Sequence, residues 1–209
     1  MENVTDRIRN PFDMRPPCER FVPGYGDANA DFHVIGDHPG VHGGLDTGVP
    51  FTNEPGRRLQ AALRAAGLLR TTGDSPEPAG TFFSYLHLCA PEGEEPTQSS
   101  YDDLERFFDA ELRAIAAHVL LPVGARATAH VLETYTAQAW KTEIDMEALH
   151  ATEVRGSGFL VVPIREPGEW DETHHDRLVD GLDTLRSTDF RREADLGRFS
   201  ADGDPYLVR

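Results

Sequence analysis

Asp37, His38, His42 and Asp46 fall within one Gly- and Pro-rich stretch, GDHPGVHGGLDTGVPFTNEP, which also carries Phe51. Carboxylates and imidazoles this close together suit acid–base work. A carboxylate holds a water or balances positive charge, and an imidazole, with an ordinary pKa of about 6.5, donates to a leaving group. Each has a plainer alternative. Asp37 also suits an N-cap or Asx turn at a strand end, and a loop histidine also serves by bonding neighbouring backbone. Gly36, Gly40, Gly43 and Gly44 let backbone amides approach a phosphate or a base, or simply loosen the loop. Phe51 offers a face for a stacked ring or is an ordinary core residue, and the loop context favours stacking. Asp37, His38, His42 and Asp46 can also be drawn around a metal ion, but their spacing matches no compact ligand motif, so no metal is expected. His174-His175, with Glu172 and Asp176, reads as a solvated helix start. Arg126, at the head of a helix, suits phosphate contact or plain surface exposure.

These residues need a scaffold that gathers loops. Asp31–Gly36 reads as a short buried strand, and Arg57–Ala66 as an amphipathic helix with Leu59, Ala62, Leu63 and Ala66 on one face. Thr81–Leu88 reads as a second strand. Tyr101–His118 has Leu104, Phe107, Phe108, Leu112 and Ile115 at helical spacing, with Ser99 or Ser100 as its cap. Val119–Val123 is a third strand, Gly124–Tyr135 a helix, Thr152–Val154 and Phe159–Ile164 a hairpin, and Trp170–Leu185 a closing helix. Residues 136–150 are ambiguous, and Ser187–Arg209 is a polar tail. The alternation predicts an α/β protein: a three-layer α/β/α sandwich around a mostly parallel four-stranded sheet. In such folds ligands sit at the carboxyl ends of the strands. The loops at 37–55, 89–98, 124–126 and 165–170 then share one rim.

The chain has 209 residues, enough for one α/β core. Residues 1–21 read as an N-terminal extension, 22–187 as the domain and 188–209 as a C-terminal tail. Met1–Asn10 is polar and no apolar run is long enough to span a bilayer, so no membrane partner and a cytoplasmic location are expected. Two cysteines, Cys18 and Cys89, fit a reducing compartment and are too few for a disulfide framework. The formal net charge is -16, and Lys141 is the one lysine. Such acidity opposes phosphate binding. Either the chain works in a high-salt cytoplasm, where screening shortens repulsion to about 3 Å at molar salt, or it does not bind nucleic acid. Lysine depletion with arginine retained favours the first.

Several ordered blocks resemble the uracil-DNA glycosylase superfamily, above all its iron–sulfur-bearing thermophilic and archaeal families. Gly36-Asp37-His38-Pro39-Gly40, His42-Gly43-Gly44 and Thr47-Gly48-Val49-Pro50-Phe51-Thr52 are similar to the family's first active-site segment. Pro23-Gly24-Tyr25-Gly26-Asp27 resembles its lead-in, and Leu88-Cys89-Ala90-Pro91 its Cys-x-Pro loop. Leu121-Pro122-Val123-Gly124-Ala125-Arg126-Ala127 resembles a later strand–Gly–helix unit, and Val161-Val162-Pro163 the strand before its His-Pro-Ser motif. The likeness covers about residues 12–186. It implies a DNA-repair protein that binds single- or double-stranded DNA, flips a base out of the stack and hydrolyses its N-glycosidic bond, acting as a monomer.

The departures are equally specific. The family's iron–sulfur cluster takes four cysteines. Cys18 and Cys89 match two, and Leu104 stands at the helix position, so no cluster is expected, although the two cysteines should still lie close together. His-Pro-Ser becomes Glu166-Pro167-Gly168, which puts a carboxylate where a donor to the leaving base is expected, unless Glu166 is kept neutral and itself donates. Tyr85 stands for the base-reading Asn. Asp37 is the first-motif acid and Glu54 the acid that follows Phe-Thr-x. The resemblance thus implies catalytic roles for Asp37, His38, His42, Glu54 and Glu166. It implies base contacts from Gly36, Pro39, Gly40, Phe51 and Tyr85, and DNA contacts from Gly124, Arg126, Arg165 and Gly168. A degenerate member retained for nucleic-acid or protein binding is the alternative, and hydrolysis of a free nucleoside a third.

Overall fold

The computed structural model describes residues 3–91, 93, 95–136, 144–156 and 158–197. Its strands are β1 (Tyr25–Gly26), β2 (Phe32–Gly36), β3 (Thr81–Tyr85), β4 (Val119–Pro122), β5 (Val154–Arg155) and β6 (Leu160–Val161), in the order β1-β3-β2-β4-β6-β5. Neighbours β3, β2, β4 and β6 run parallel, while β1 and β5 add antiparallel edges. The α/β class is as expected and the sheet is wider. The edge strand β1 escaped because two residues carry no alternation to read. The expected hairpin is present as the β5–β6 pair, with Val154 opposite Val161.

Alternation of side chains splits the core. Phe32, Val34, Val119, Leu121 and Leu160 pack under α2 (Glu54–Ala65) and α6 (Glu172–Arg186). Ile35, Leu120 and Val161 face the other way, toward α3 (Gln98–Ile115) and α4 (Gly124–Tyr135). Short helices α1 (Pro39–His42) and α5 (Met146–Leu149) sit in loops. The last described helix, α7 (Phe190–Gly197), packs Phe190 on Phe32 with ring centroids 5.2 Å apart and buries Ala194.

Helix ends follow capping chemistry more closely than hydrophobic spacing does. Asn53 caps α2, its Oδ1 accepting from the Gly56 N–H at 2.9 Å, and Pro55 occupies the first turn. The helix therefore starts three residues before the expected Arg57. Thr97, not Ser99 or Ser100, caps α3. Asp171 and His174 form a reciprocal capping box on α6. Lys141 lies outside the described residues. Among the described residues no helix is long and apolar enough to cross a membrane.

β2 and β4 are adjacent, yet their following helices go to opposite faces of the sheet. This is where a crevice opens in doubly wound sheets, and it places Asp37 beside Gly124 and Arg126.

Candidate active site

Gly36 ends β2 where nothing larger fits: a Cβ there would lie 2.7 Å from the rings of Phe51 and Tyr85. Asp37 follows, fixed at every polar group. Its N–H donates to His42 Nδ1 at 3.3 Å, and its carbonyl accepts from the His87 N–H at 3.0 Å. Its carboxylate takes a short hydrogen bond from the Tyr101 hydroxyl and lies 3.6 Å from Arg126 Nε. The Arg126 guanidinium stacks over the Tyr101 ring at 4.7 Å. Burial, then the bond to Asp37 and its charge, push the Tyr101 phenol well above its ordinary pKa, so Tyr101 remains a donor. The Asp37 side chain is 17% exposed: held rigidly, yet reachable.

His42 joins the two distant loops. Because Nδ1 accepts the Asp37 N–H, the imidazole proton is assigned to Nε2, which donates to Glu166 Oε2 at 3.0 Å. Glu166 comes from the loop after β6, and a Cβ on Gly124 would approach its Oε2 at 3.3 Å. Loops following β2, β4 and β6 therefore converge on one carboxylate. The Glu166 loop is itself braced. Trp170 Nε1 donates to the Arg165 carbonyl at 2.8 Å, and the Arg165 N–H donates to His150 Nδ1 at 3.0 Å.

Other candidates fall inside or outside this cluster. His38 caps α1, with Nδ1 accepting from the Gly40 N–H at 3.1 Å, and Pro39 opens that helix. Burial lowers the His38 pKa; the Asp37 charge pulls the other way. Gly40 is confined between the His38 ring and Pro91. Phe51 has a left-handed backbone (φ 60°) and no exposed surface. Its N–H donates to the Tyr85 hydroxyl at 2.8 Å, and that hydroxyl donates to the Gly43 carbonyl at 3.0 Å. The His42 ring covers Phe51, with centroids 5.0 Å apart. Glu54 is 82% exposed and paired with Arg58 at 2.8 Å. Arg165 is spent on Glu147 and Glu169. Gly168 lies in a turn against Pro55.

Two participants were missed by sequence reasoning, Tyr101 and His87. His87 Nδ1 donates to the Cys89 carbonyl at 3.0 Å, so its Nε2 accepts from the Ser100 hydroxyl at 2.6 Å. Burial lowers its pKa, and its ring edge meets Tyr101 with centroids 5.2 Å apart. The available signal was position: both flank the rim loop that follows β3.

The residues at the expected cluster position do not fit four-thiolate ligation. Cys18 and Cys89 are joined as a disulfide with Cα atoms 6.1 Å apart, and Leu104 packs against Cys89 in the core. The expected proximity is present, and the pair is bonded rather than reduced as the cysteine count had suggested. Among the described residues no three His, Cys, Asp or Glu side chains are grouped to hold a metal ion.

The chain matches the family model described as the uracil DNA glycosylase superfamily over residues 23–174. It is 31% identical over 124 residues to a type-5 uracil-DNA glycosylase of Mycobacterium leprae, covering 56% of this chain and 54% of that protein. It is 34% identical over 116 residues to one from Thermus thermophilus, covering 53% and 52%. A third, from Pyrobaculum aerophilum, is 30% identical over 120 residues, covering 54% and 53%. The chain spans about half the length of the curated relatives it matches.

Proposed function

This chain belongs to the uracil-DNA glycosylase superfamily, and from that premise we propose that it is a DNA-repair glycosylase-like protein that takes a flipped, uracil-type base and hydrolyses its N-glycosidic bond. The observation that carries the reading is the 3.0 Å contact of His42 with Glu166, which closes two distant loops around Asp37. In the reaction, the C1′–N1 bond breaks with its electron pair leaving on the base, water adds its hydroxyl to C1′, and the remaining proton of the water ends on the released base. The Asp37 carboxylate faces the positive charge that grows on the sugar. His42 Nε2–H is the donor for the base oxygen once the incoming base displaces Glu166 from it. Glu54, exposed at the head of α2 and paired with Arg58, is left out of these steps.

One observation favours a second reading, a catalytically degenerate member that binds nucleic acid or protein. His42 covers Phe51 and neither ring has exposed surface, so a base stacks on Phe51 only after the imidazole moves. Uracil-containing oligonucleotide incubated with the protein from low to molar salt separates the two. Abasic product, rising with salt as repulsion from the -16 chain is screened, is expected. No product under any condition removes the enzymatic reading.

We also propose a monomer in a high-salt cytoplasm. Arg126, 45% exposed at the crevice, is then the phosphate contact. Arg126→Ala is expected to weaken binding to all DNA sequences alike and, by releasing one counter-ion fewer, to make the slope of log affinity against log salt more positive by about one. An unchanged slope in fluorescence-anisotropy titrations would place the backbone contact elsewhere.

A further inference from the structure

We propose that the Cys18–Cys89 disulfide is a redox-dependent clasp that orders the rim segment carrying His87 against Asp37. The bond joins residues 71 apart in sequence, tying the N-terminal segment to the loop after β3. Around it the two segments run as a short ladder. The Val22 N–H donates to the Leu88 carbonyl at 2.8 Å, and the Ala90 N–H to the Arg20 carbonyl at 2.9 Å. Phe21 bridges Cys89, and Leu88, Leu104 and Phe107 pack beside the sulfurs.

The clasp reaches the site in two hydrogen bonds. The Cys89 carbonyl accepts from His87 Nδ1, and the His87 N–H donates to the Asp37 carbonyl. His87 Nε2 also accepts from Ser100, next to the Tyr101 that holds the Asp37 carboxylate. A cavity of about 440 Å³ lies alongside, lined by Cys18, Cys89, His87, Pro91, Thr97 and Asp103. Cys18 is itself half-buried, so the bond is open to a small dithiol from this side. Isolated disulfides that form in reducing compartments are typically redox-sensing.

Reduction needs a dithiol. Its thiolate attacks one sulfur, a mixed disulfide forms, and the second thiol resolves it. Two electrons and two protons end on Cys18 and Cys89, and the dithiol becomes a disulfide. The N-terminal segment is then held by hydrogen bonds and apolar packing alone, and His87 loses the covalent anchor two residues away.

The link to Asp37 rests on the glycosylase reading; the clasp does not. The test is amide hydrogen exchange on the full chain, oxidised, treated with dithiothreitol, and as Cys18→Ser. The untreated protein is expected to show no free thiol and the treated protein two. Exchange in peptides spanning 18–22 and 86–91 is expected to rise at least roughly tenfold on reduction, with β2 and β4 unchanged. Cys18→Ser is expected to match the reduced protein and to ignore dithiothreitol. Free thiols or bound iron in the untreated protein, or equal exchange before and after reduction, would overturn the proposal. These readouts need no substrate, so they stand whether or not uracil is excised.

Discussion

Glu111→Gln is expected to leave stability unchanged near pH 4 and to raise it by a few kcal/mol above pH 8. Glu111 lies on the buried face of α3 and is 5% exposed. The Gly24 N–H donates to its carboxyl, while Oε1 has no partner. Burial raises its pKa to about 8. In the unfolded chain the group ionises near its ordinary value of 4.5. Between these values the unfolded state has lost the proton and the folded state retains it, so stability falls as pH rises. Above the folded value both states are ionised and the loss stays constant. The Gln variant has no such proton, and its advantage should grow over this window and then level off. His33 works in the opposite direction: burial lowers its pKa to about 3, so its contribution is present above 6.5 and lost as pH falls. That acid-side loss should appear equally in both proteins. Urea unfolding of each from pH 4 to 9 at fixed salt provides the check. Parallel stability curves would mean that Glu111 is solvated or paired.

Glu111 also marks how far the sequence can be read. Leu104, Phe108 and Ile115 define the buried stripe of α3 by spacing alone, and Glu111 occupies the same stripe. Its burial went unread, because residue type argued for the surface while the helical period carries it into the stripe. The parallel core was legible, since strands buried on both faces read as apolar runs. The rim was legible because Gly- and Pro-rich loops follow those strands. What joins the rim was not. Tyr101 meets Asp37 across 64 residues and His42 meets Glu166 across 124. Side-chain bonds over such separations leave no local periodicity. The resemblance supplied Asp37, His42 and Glu166 one by one, but not their hydrogen bonds, nor the ion pairs that Glu54 and Arg165 make.

If the chain excises uracil, Asp37→Asn is expected to lower kcat by about 10²–10³-fold with little change in KM, the scale of losing one preorganised electrostatic partner of a transition state. The substitution keeps the volume of the side chain, and its amide oxygen still accepts from Tyr101, so the fold and the loop should persist. What goes is the negative charge. Arg126 then faces the reacting sugar without its counter-ion, which adds positive charge where positive charge is growing. Tyr101→Phe offers the complementary test. It keeps the carboxylate but removes the hydroxyl that fixes its direction, so a smaller loss of about tenfold is expected, through positioning alone. The order matters more than either value. If Asp37→Asn retains full turnover while Tyr101→Phe loses it, the charge at residue 37 is not what the transition state uses. The hydroxyl of Tyr101 would then act on the substrate directly, with Asp37 orienting it.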